Sequence, residues 1–265
     1  MGCPGTFSDR SYPRTTERDV MRIVVVGGSG RIGAALVEQL RAAGHEAVPA
    51  SPSTGVDTLT GKGVAEALAG AQVVVDVSNS PSFADAEVMA FFTTSTRTLL
   101  DAARTAGVAH YVALSIVGTD TLPDSGYLRA KTAQEELITA SGLPFTIVRA
   151  TQFYEFIDPI ADGAAIDGVV TLPDAQFQPV AAADVSALLA EVVVGEPAGV
   201  FDIAGPDRRP FAEFVRETLA ARGDTRTVTS APDAEYFGTR LEQGSLVPAG
   251  AARLLPTRFE DWLTS

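Results

Sequence analysis

The sequence predicts an α/β fold, a doubly wound parallel sheet with a small lobe formed by the C-terminal part of the chain. Three observations carry this expectation. Short apolar runs rich in β-branched residues alternate with helical patterns through the first 150 residues. The first of these runs ends in a cluster of glycines that opens a helix. Beyond Arg149 the alternation loses its regularity.

Residues 22–26, Arg-Ile-Val-Val-Val, form the first strand, because an unbroken apolar run suits a strand covered on both faces. Glycines follow at 27, 28, 30 and 33, and a helix over 31–43 carries Leu36, Val37 and Leu40 before Gly44 stops it. Further strands are expected at 46–50, 72–77, 110–115 and 145–149, with helices near 63–69, 85–106 and 127–141 between them. In the longest helix Val88, Phe92, Leu99 and Ala103 recur at helical spacing and read as core. Past Arg149, Gly168-Val-Val-Thr-Leu is a short strand, Asp184 caps a helix that runs to Val194, and 200–203 is another strand. Pro210 then opens a helix to about Arg222. Residues 151–265 therefore interleave late sheet strands with a small substrate-side lobe, inside a single domain over 21–265.

The glycine cluster carries chemistry. A strand ending in bare backbone that opens a helix lets a pyrophosphate approach closely, and the free N–H groups and dipole of the helix start favour its charge. Dinucleotide binding is the expected use, with Gly27, Gly28, Ser29, Gly30, Arg31, Ile32 and Gly33 at the contact. Two registers fit: Gly28, Gly30 and Gly33 spell G-x-G-x-x-G, while Gly27, Gly30 and Gly33 spell G-x-x-G-x-x-G.

A second motif stands near the middle of the chain. Lys131, one of only two lysines, follows Tyr127 by four residues, which places both on one helical face. Ser115 ends the apolar run 111–114, where active-site side chains of parallel sheets gather. Together the glycine loop, the strand-end serine and Tyr-x-x-x-Lys resemble the short-chain dehydrogenase/reductase superfamily. The stretch Ser141-Gly-Leu-Pro-Phe-Thr-Ile-Val-Arg-Ala-Thr-Gln-Phe, residues 180–184 and Phe201-Asp-Ile-Ala-Gly-Pro resemble its atypical, NmrA-like branch. The likeness spans roughly residues 21–263, and it implies a Rossmann-type fold.

The resemblance implies an NAD(P)-dependent oxidoreductase that reduces a small carbonyl or quinone. Tyr127 would donate the proton, Ser115 hold the substrate oxygen, and Lys131 bind the nicotinamide ribose while favouring the tyrosinate. Many NmrA-like members lack the tyrosine and are not enzymes, so the alternative is a non-catalytic NADP(H)-binding redox sensor. An epimerase or dehydratase fits less well, since those enzymes usually carry a larger C-terminal lobe. For the cofactor, the second strand ends Val48-Pro-Ala-Ser51-Pro-Ser53-Thr54 without the carboxylate that takes ribose hydroxyls in NAD sites. Ser51, Ser53 and Arg31 can meet a 2′-phosphate, so NADP(H) is preferred and NAD(H) possible. Asp57 is expected at the adenine, and Ser78 and Asn79 beside the cofactor. Thr151, Gln152 and Phe153 should line the nicotinamide end, with Tyr154 and Phe156 facing substrate.

Composition sets bounds. The net charge of −13 argues against nucleic acid or an anionic membrane as partner, leaving a small-molecule substrate. No apolar run approaches the ~20 residues of a membrane span. One cysteine and two histidines cannot build a zinc cluster, and no metal is expected. Residues 1–20 balance three arginines against three acids and read as a flexible N-terminal extension. Met1-Gly-Cys-Pro-Gly-Thr matches the myristoylation pattern, a short and permissive one. A cytoplasmic location is the default expectation.

Overall fold

A computed structural model of the protein describes residues 20–265. The expectations of a flexible extension and an acylation signal concern residues 1–19, outside the described part. A seven-stranded sheet forms the centre, and every pairing in it is parallel. Five strands come from the first 150 residues: β1 (Arg22–Val26), β2 (Glu46–Ala50), β3 (Val73–Asp76), β4 (His110–Ile116) and β5 (Phe145–Ala150). The order from one edge is β2, β1, β3, β4, β5, then the strands Gly199–Ala204 and Ala252–Leu254. The last of these, at the far edge, has no apolar pattern to announce it.

Side chains alternate across each strand, so each face collects its own core. Ile23, Val25, Val73, Val75, Val112 and Val148 pack under α1 (Arg31–Ala42) and α6 (Ala182–Val193). Val24, Val74, Tyr111 and Ile147 pack on the other face, under α2 (Val64–Leu68), α3 (Asp85–Ala106) and α4 (Gly126–Thr139). Each valine buried in this way contributes about 1.5–3 kcal/mol, which is why the apolar runs had to be strands with two covered faces. In α3, Val88, Phe92, Leu99 and Ala103 are fully buried, as their spacing requires.

The remaining elements form a lobe beside the sheet's C-terminal edge. Helices α5 (Ile157–Gly163), α7 (Phe211–Ala221) and α8 (Phe259–Leu263) pack with the paired strands Val169–Pro173 and Thr227–Ala231. Aromatic rings fill it: Phe177 stacks on Phe211 at 4.1 Å, and Phe214 meets Phe259 edge-on at 4.8 Å.

Two expectations need correction here. Asp184 does not cap α6: Ala181 is the N-cap, and Asp184 sits in the first turn, where its carboxylate accepts from the Thr257 N–H and hydroxyl at 2.9 Å each. Tyr154 does not face a substrate. It is fully buried, stacked on Trp262 at 5.1 Å and donating to the Thr257 carbonyl at 3.3 Å, because the C-terminal segment folds back over it.

Candidate functional site

The strand order reverses between β1 and β3, and the crevice at such a switch point is where parallel sheets bind ligands. The glycine loop after β1 and the loop after β3 meet there. Gly27 has φ +81°, and a Cβ on it would lie 2.8 Å from the Val77 carbonyl and 2.9 Å from Ser78 Cα. A Cβ on Gly28 would lie 2.7 Å from Pro49 Cα, and one on Gly33 would run into the Gly27 carbonyl. Those three glycines serve the protein's own packing. Gly30 differs: its Cβ would meet only the Gly27 carbonyl, at 3.3 Å. Bare backbone at Gly30 is therefore free for a ligand, and α1 begins there with no side-chain cap and no acid in its first turn. Such a cradle fits a pyrophosphate. Ser29 and Arg31 are exposed beside it, Ile32 is buried, and Arg31 has no ion-pair partner among the described residues.

At the end of β2, Ser51 caps a short turn and its hydroxyl lies 2.8 Å from that of Ser53. No carboxylate stands in this turn. Asp57 closes the next turn, accepting from the N–H groups of Leu59 at 2.8 Å and Thr60 at 3.3 Å, and the bond from Leu59 is the main reason its carboxyl titrates below the usual range.

Across the crevice, Asn79 Oδ1 accepts a hydrogen bond from the Tyr127 hydroxyl at 2.8 Å. Ser125 caps α4, its hydroxyl accepting from Leu128 N, and so sets Tyr127 in the helix's first turn. Burial pushes the Tyr127 phenol up to about 12. The expected lowering toward neutrality is absent, because Lys131 is bound elsewhere. Lys131 is 3 % exposed, and its ammonium donates to the Leu114 carbonyl at 2.9 Å and to Gln134 Oε1 and lies over the Phe92 ring at 4.6 Å. Desolvation brings it down to about 8, although Asp76 and Glu135 pull the other way.

Ser115 is likewise occupied: its hydroxyl donates to Glu135 Oε1, and Glu135 is held in turn by the Arg149 guanidinium, whose Nε lies 3.0 Å from both carboxylate oxygens. The structure thus brings Tyr127 and Asn79 together at the crevice and turns Ser115 and Lys131 into the protein. Gln152 and Phe153 follow β5 and pair with Val180, while the Phe153 ring stacks on exposed Phe156 at 5.5 Å. Next to them the Thr151 hydroxyl is buried without a hydrogen-bond partner among the described residues.

Sequence reasoning missed the residue at the centre of these bonds. Asp76, 1 % exposed, accepts from Ser78 N at 3.0 Å, Ser78 Oγ at 2.6 Å and Gln134 Nε2 at 2.9 Å. It ties the loop carrying Ser78 and Asn79 to the helix carrying Tyr127. A carboxylate ending an otherwise all-valine strand was the available signal. Glu135 and Arg149 were similarly legible as a helix acid and a strand-end base. A cavity of about 660 Å³ opens on the far side of Arg149, among Asp120, Leu122, Asp202 and Arg240, and Tyr127 does not line it.

A parallel sheet with a bare phosphate cradle at its switch point defines a dinucleotide-binding protein. The chain belongs to the NAD(P)H-binding family, whose pattern matches residues 27–195. Among curated proteins it is similar to the photosystem II assembly factor Ycf39 of Cyanophora paradoxa, 26% identical over 149 residues that make up 51% of this chain and 46% of that protein. The chain thus matches about half the length of that relative. Among solved structures it resembles dTDP-4-dehydrorhamnose reductase of Bacillus anthracis in complex with NADP, with TM-score 0.72, 15% identity, and 92% and 97% of the two chains covered. It also resembles the NADPH-dependent quinone oxidoreductase QOR2 of Escherichia coli complexed with NADPH, with TM-score 0.62, 21% identity, and 79% and 77% covered. These structural likenesses establish the fold. Among the described residues no helix is long and apolar enough to cross a membrane, and no cluster of metal-binding side chains occurs.

Proposed function

We infer that this protein is an NADPH-dependent oxidoreductase of the short-chain dehydrogenase/reductase type, NmrA-like in its branch, that reduces a small carbonyl or quinone with Tyr127 as proton donor. The observation that carries the reading is the Tyr127 hydroxyl, hydrogen-bonded to Asn79 beside the switch-point crevice. A phenol pushed up to about 12 keeps its proton at neutral pH, as a general acid must before it reacts. Gly30 and the open start of α1 would hold the pyrophosphate, and Ser51, Ser53 and Arg31 a 2′-phosphate. Asp57, Ser78, Gln152 and Phe153 would border the rest of the cofactor. When bound, NADPH supplies a hydride. Lys131 and Ser115 act as positioning residues: Lys131 joins α4 to β4 through the Leu114 carbonyl, and Ser115 joins β4 to Glu135. With a single cysteine, the chain suits the reducing cytoplasm.

The test is Tyr127→Phe. It removes one oxygen and keeps the ring, so cofactor binding should persist while turnover of the best substrate falls at least ~100-fold. A phenylalanine variant at the wild-type rate refutes Tyr127 as the acid. A second reading, an NADP(H)-binding redox sensor, is favoured by the engagement of Ser115 and Lys131 in buried bonds. Tight NADPH binding with no NADPH oxidation across quinones, aldehydes and ketones would select it.

A further inference from the structure

The lobe reaches back over Tyr127 through a two-residue hairpin. Glu235–Tyr236 pairs with Thr239–Arg240, and Phe237 and Gly238 make the turn, both with positive φ, +47° and +75°. Glycine, asparagine or aspartate fits such a turn without strain, and a bulky aromatic does not. A strained residue is retained where its side chain is needed. The Phe237 ring is needed for nothing in the core: it is 58 % exposed. It lies 6.1 Å from the ring of Phe83, itself 59 % exposed, at an interplanar angle of 24°. Phe83 in turn lies 5.5 Å from the Tyr127 ring. Two apolar rings, one from the loop after β3 and one from the hairpin, thus stand open to solvent beside the candidate acid.

The hairpin also brings a second phenol. Tyr236 is 6 % exposed, its ring edge-on to Phe237 at 4.6 Å and to Phe211 at 5.9 Å. Its hydroxyl has no hydrogen-bond partner among the described residues. A buried hydroxyl left alone is costly, and phenylalanine would fill the same space without that cost. Tyr127 packs against the same cluster as Tyr236, and its charged form lies close enough to push the Tyr236 phenol further above its ordinary range, after burial, the larger cause. The orphaned donor and the candidate acid therefore share one locality.

We propose that Tyr236, Phe83 and Phe237 form the substrate subsite: the Tyr236 hydroxyl hydrogen-bonds the oxygen of a planar aromatic carbonyl compound whose ring system lies against the two phenylalanines. This deepens the oxidoreductase reading and rests on it for the role of Tyr127. Tyr236 takes over the oxygen-holding task that Ser115, bound to Glu135, is not free to perform. A bound NADPH would supply the hydride to the carbonyl carbon; Tyr127 would give its proton to the oxygen, so that the products would be the alcohol, NADP⁺ and a tyrosinate that water reprotonates. Tyr236 keeps its own proton throughout and donates a hydrogen bond to the oxygen as negative charge grows on it.

Binding to the full chain without cofactor tests the subsite apart from turnover. Calorimetric titrations would use 2-acetylnaphthalene, cyclohexyl methyl ketone, which has the oxygen without the aromatic system, and 2-ethylnaphthalene, which has the rings without the oxygen. The wild type should bind 2-acetylnaphthalene about tenfold more tightly than the cyclohexyl ketone. Tyr236→Phe should lose about five- to tenfold for 2-acetylnaphthalene and nothing for 2-ethylnaphthalene. Phe83→Leu and Phe237→Leu should weaken both naphthalenes. Tyr236→Phe should also melt at the wild-type temperature or a few degrees above, because an unsatisfied group is removed. Equal binding of the aromatic and saturated ketones overturns the proposal, as does a Tyr236→Phe variant that binds 2-acetylnaphthalene like the wild type. A Tyr236→Phe variant that melts lower and loses both naphthalenes equally shows a packing role and overturns it too. Failure of the enzyme reading is seen separately, as the expected binding pattern with no NADPH oxidation.

Discussion

Lys131 should leave a signature in the pH dependence of stability. Burial, as the larger cause, holds its ammonium at about 8 in the fold against 10.5 for a free lysine, with Asp76 and Glu135 pulling back. Between those values the unfolded chain binds a proton that the folded chain does not, so stability rises with pH across the window. The difference of about 2.5 units at about 1.4 kcal/mol each puts the full effect on the order of 3 kcal/mol. Tyr127 opposes it higher up: its phenol is raised from 10 to about 12 in the fold. The folded state then holds the extra proton, and stability falls as pH climbs from 10. The lysine therefore acts alone between about pH 8 and 10, in a chain with only one other lysine. Urea unfolding at half-unit steps from pH 7 to 10 should show the rise, and Lys131→Met should abolish it. At pH 7 the methionine variant is spared the cost of burying an ammonium and loses the hydrogen bonds to Leu114 and Gln134, so it should be no less stable than the wild type. A variant that keeps the slope would refute the burial of the Lys131 ammonium as its source.

The glycine loop separates folding from binding. Gly30→Ala should fold normally and lose at least about tenfold in NADPH affinity, whereas Gly33→Ala, driven into the Gly27 carbonyl, should cost about 1–3 kcal/mol of stability measured by denaturant melts. NADPH should bind more tightly than NADH, and Arg31→Ala should weaken NADPH selectively by about 1.5–3 kcal/mol; equal dissociation constants for the two cofactors would refute the assignment of the second-strand turn. Asp76→Asn keeps the shape but loses the negative charge that Ser78 and Gln134 address, so NADPH affinity should fall along with stability, read by calorimetry and melting together.

The main sheet was legible in the sequence because its strands are buried on both faces. The middle of such a strand must be apolar, so 23–26 and 73–75 announce themselves, and the glycines after β1 mark the turn where β1, Pro49 and α1 crowd together. Tyr127 was legible by its spacing. The edge strand Ala252–Leu254 was not, because half of its surroundings are solvent and no pattern is demanded of it.

The bonding of each polar side chain lay beyond the sequence. Shared helical spacing predicts that Tyr127 and Lys131 face alike, yet a few degrees of helix rotation decide whether an ammonium meets a ligand or the Leu114 carbonyl. Ser115 and Glu135 are twenty residues apart, Asp76 and Gln134 fifty-eight, and such pairs exist only once β3, β4 and α4 are packed. Tyr236 carries no local signal: only the closure of the lobe over α4 brings its hydroxyl, unpartnered among the described residues, into the neighbourhood of Tyr127. Burial periodicity is a local property and survives in the sequence, whereas the satisfaction of buried hydrogen bonds is a property of the assembled fold.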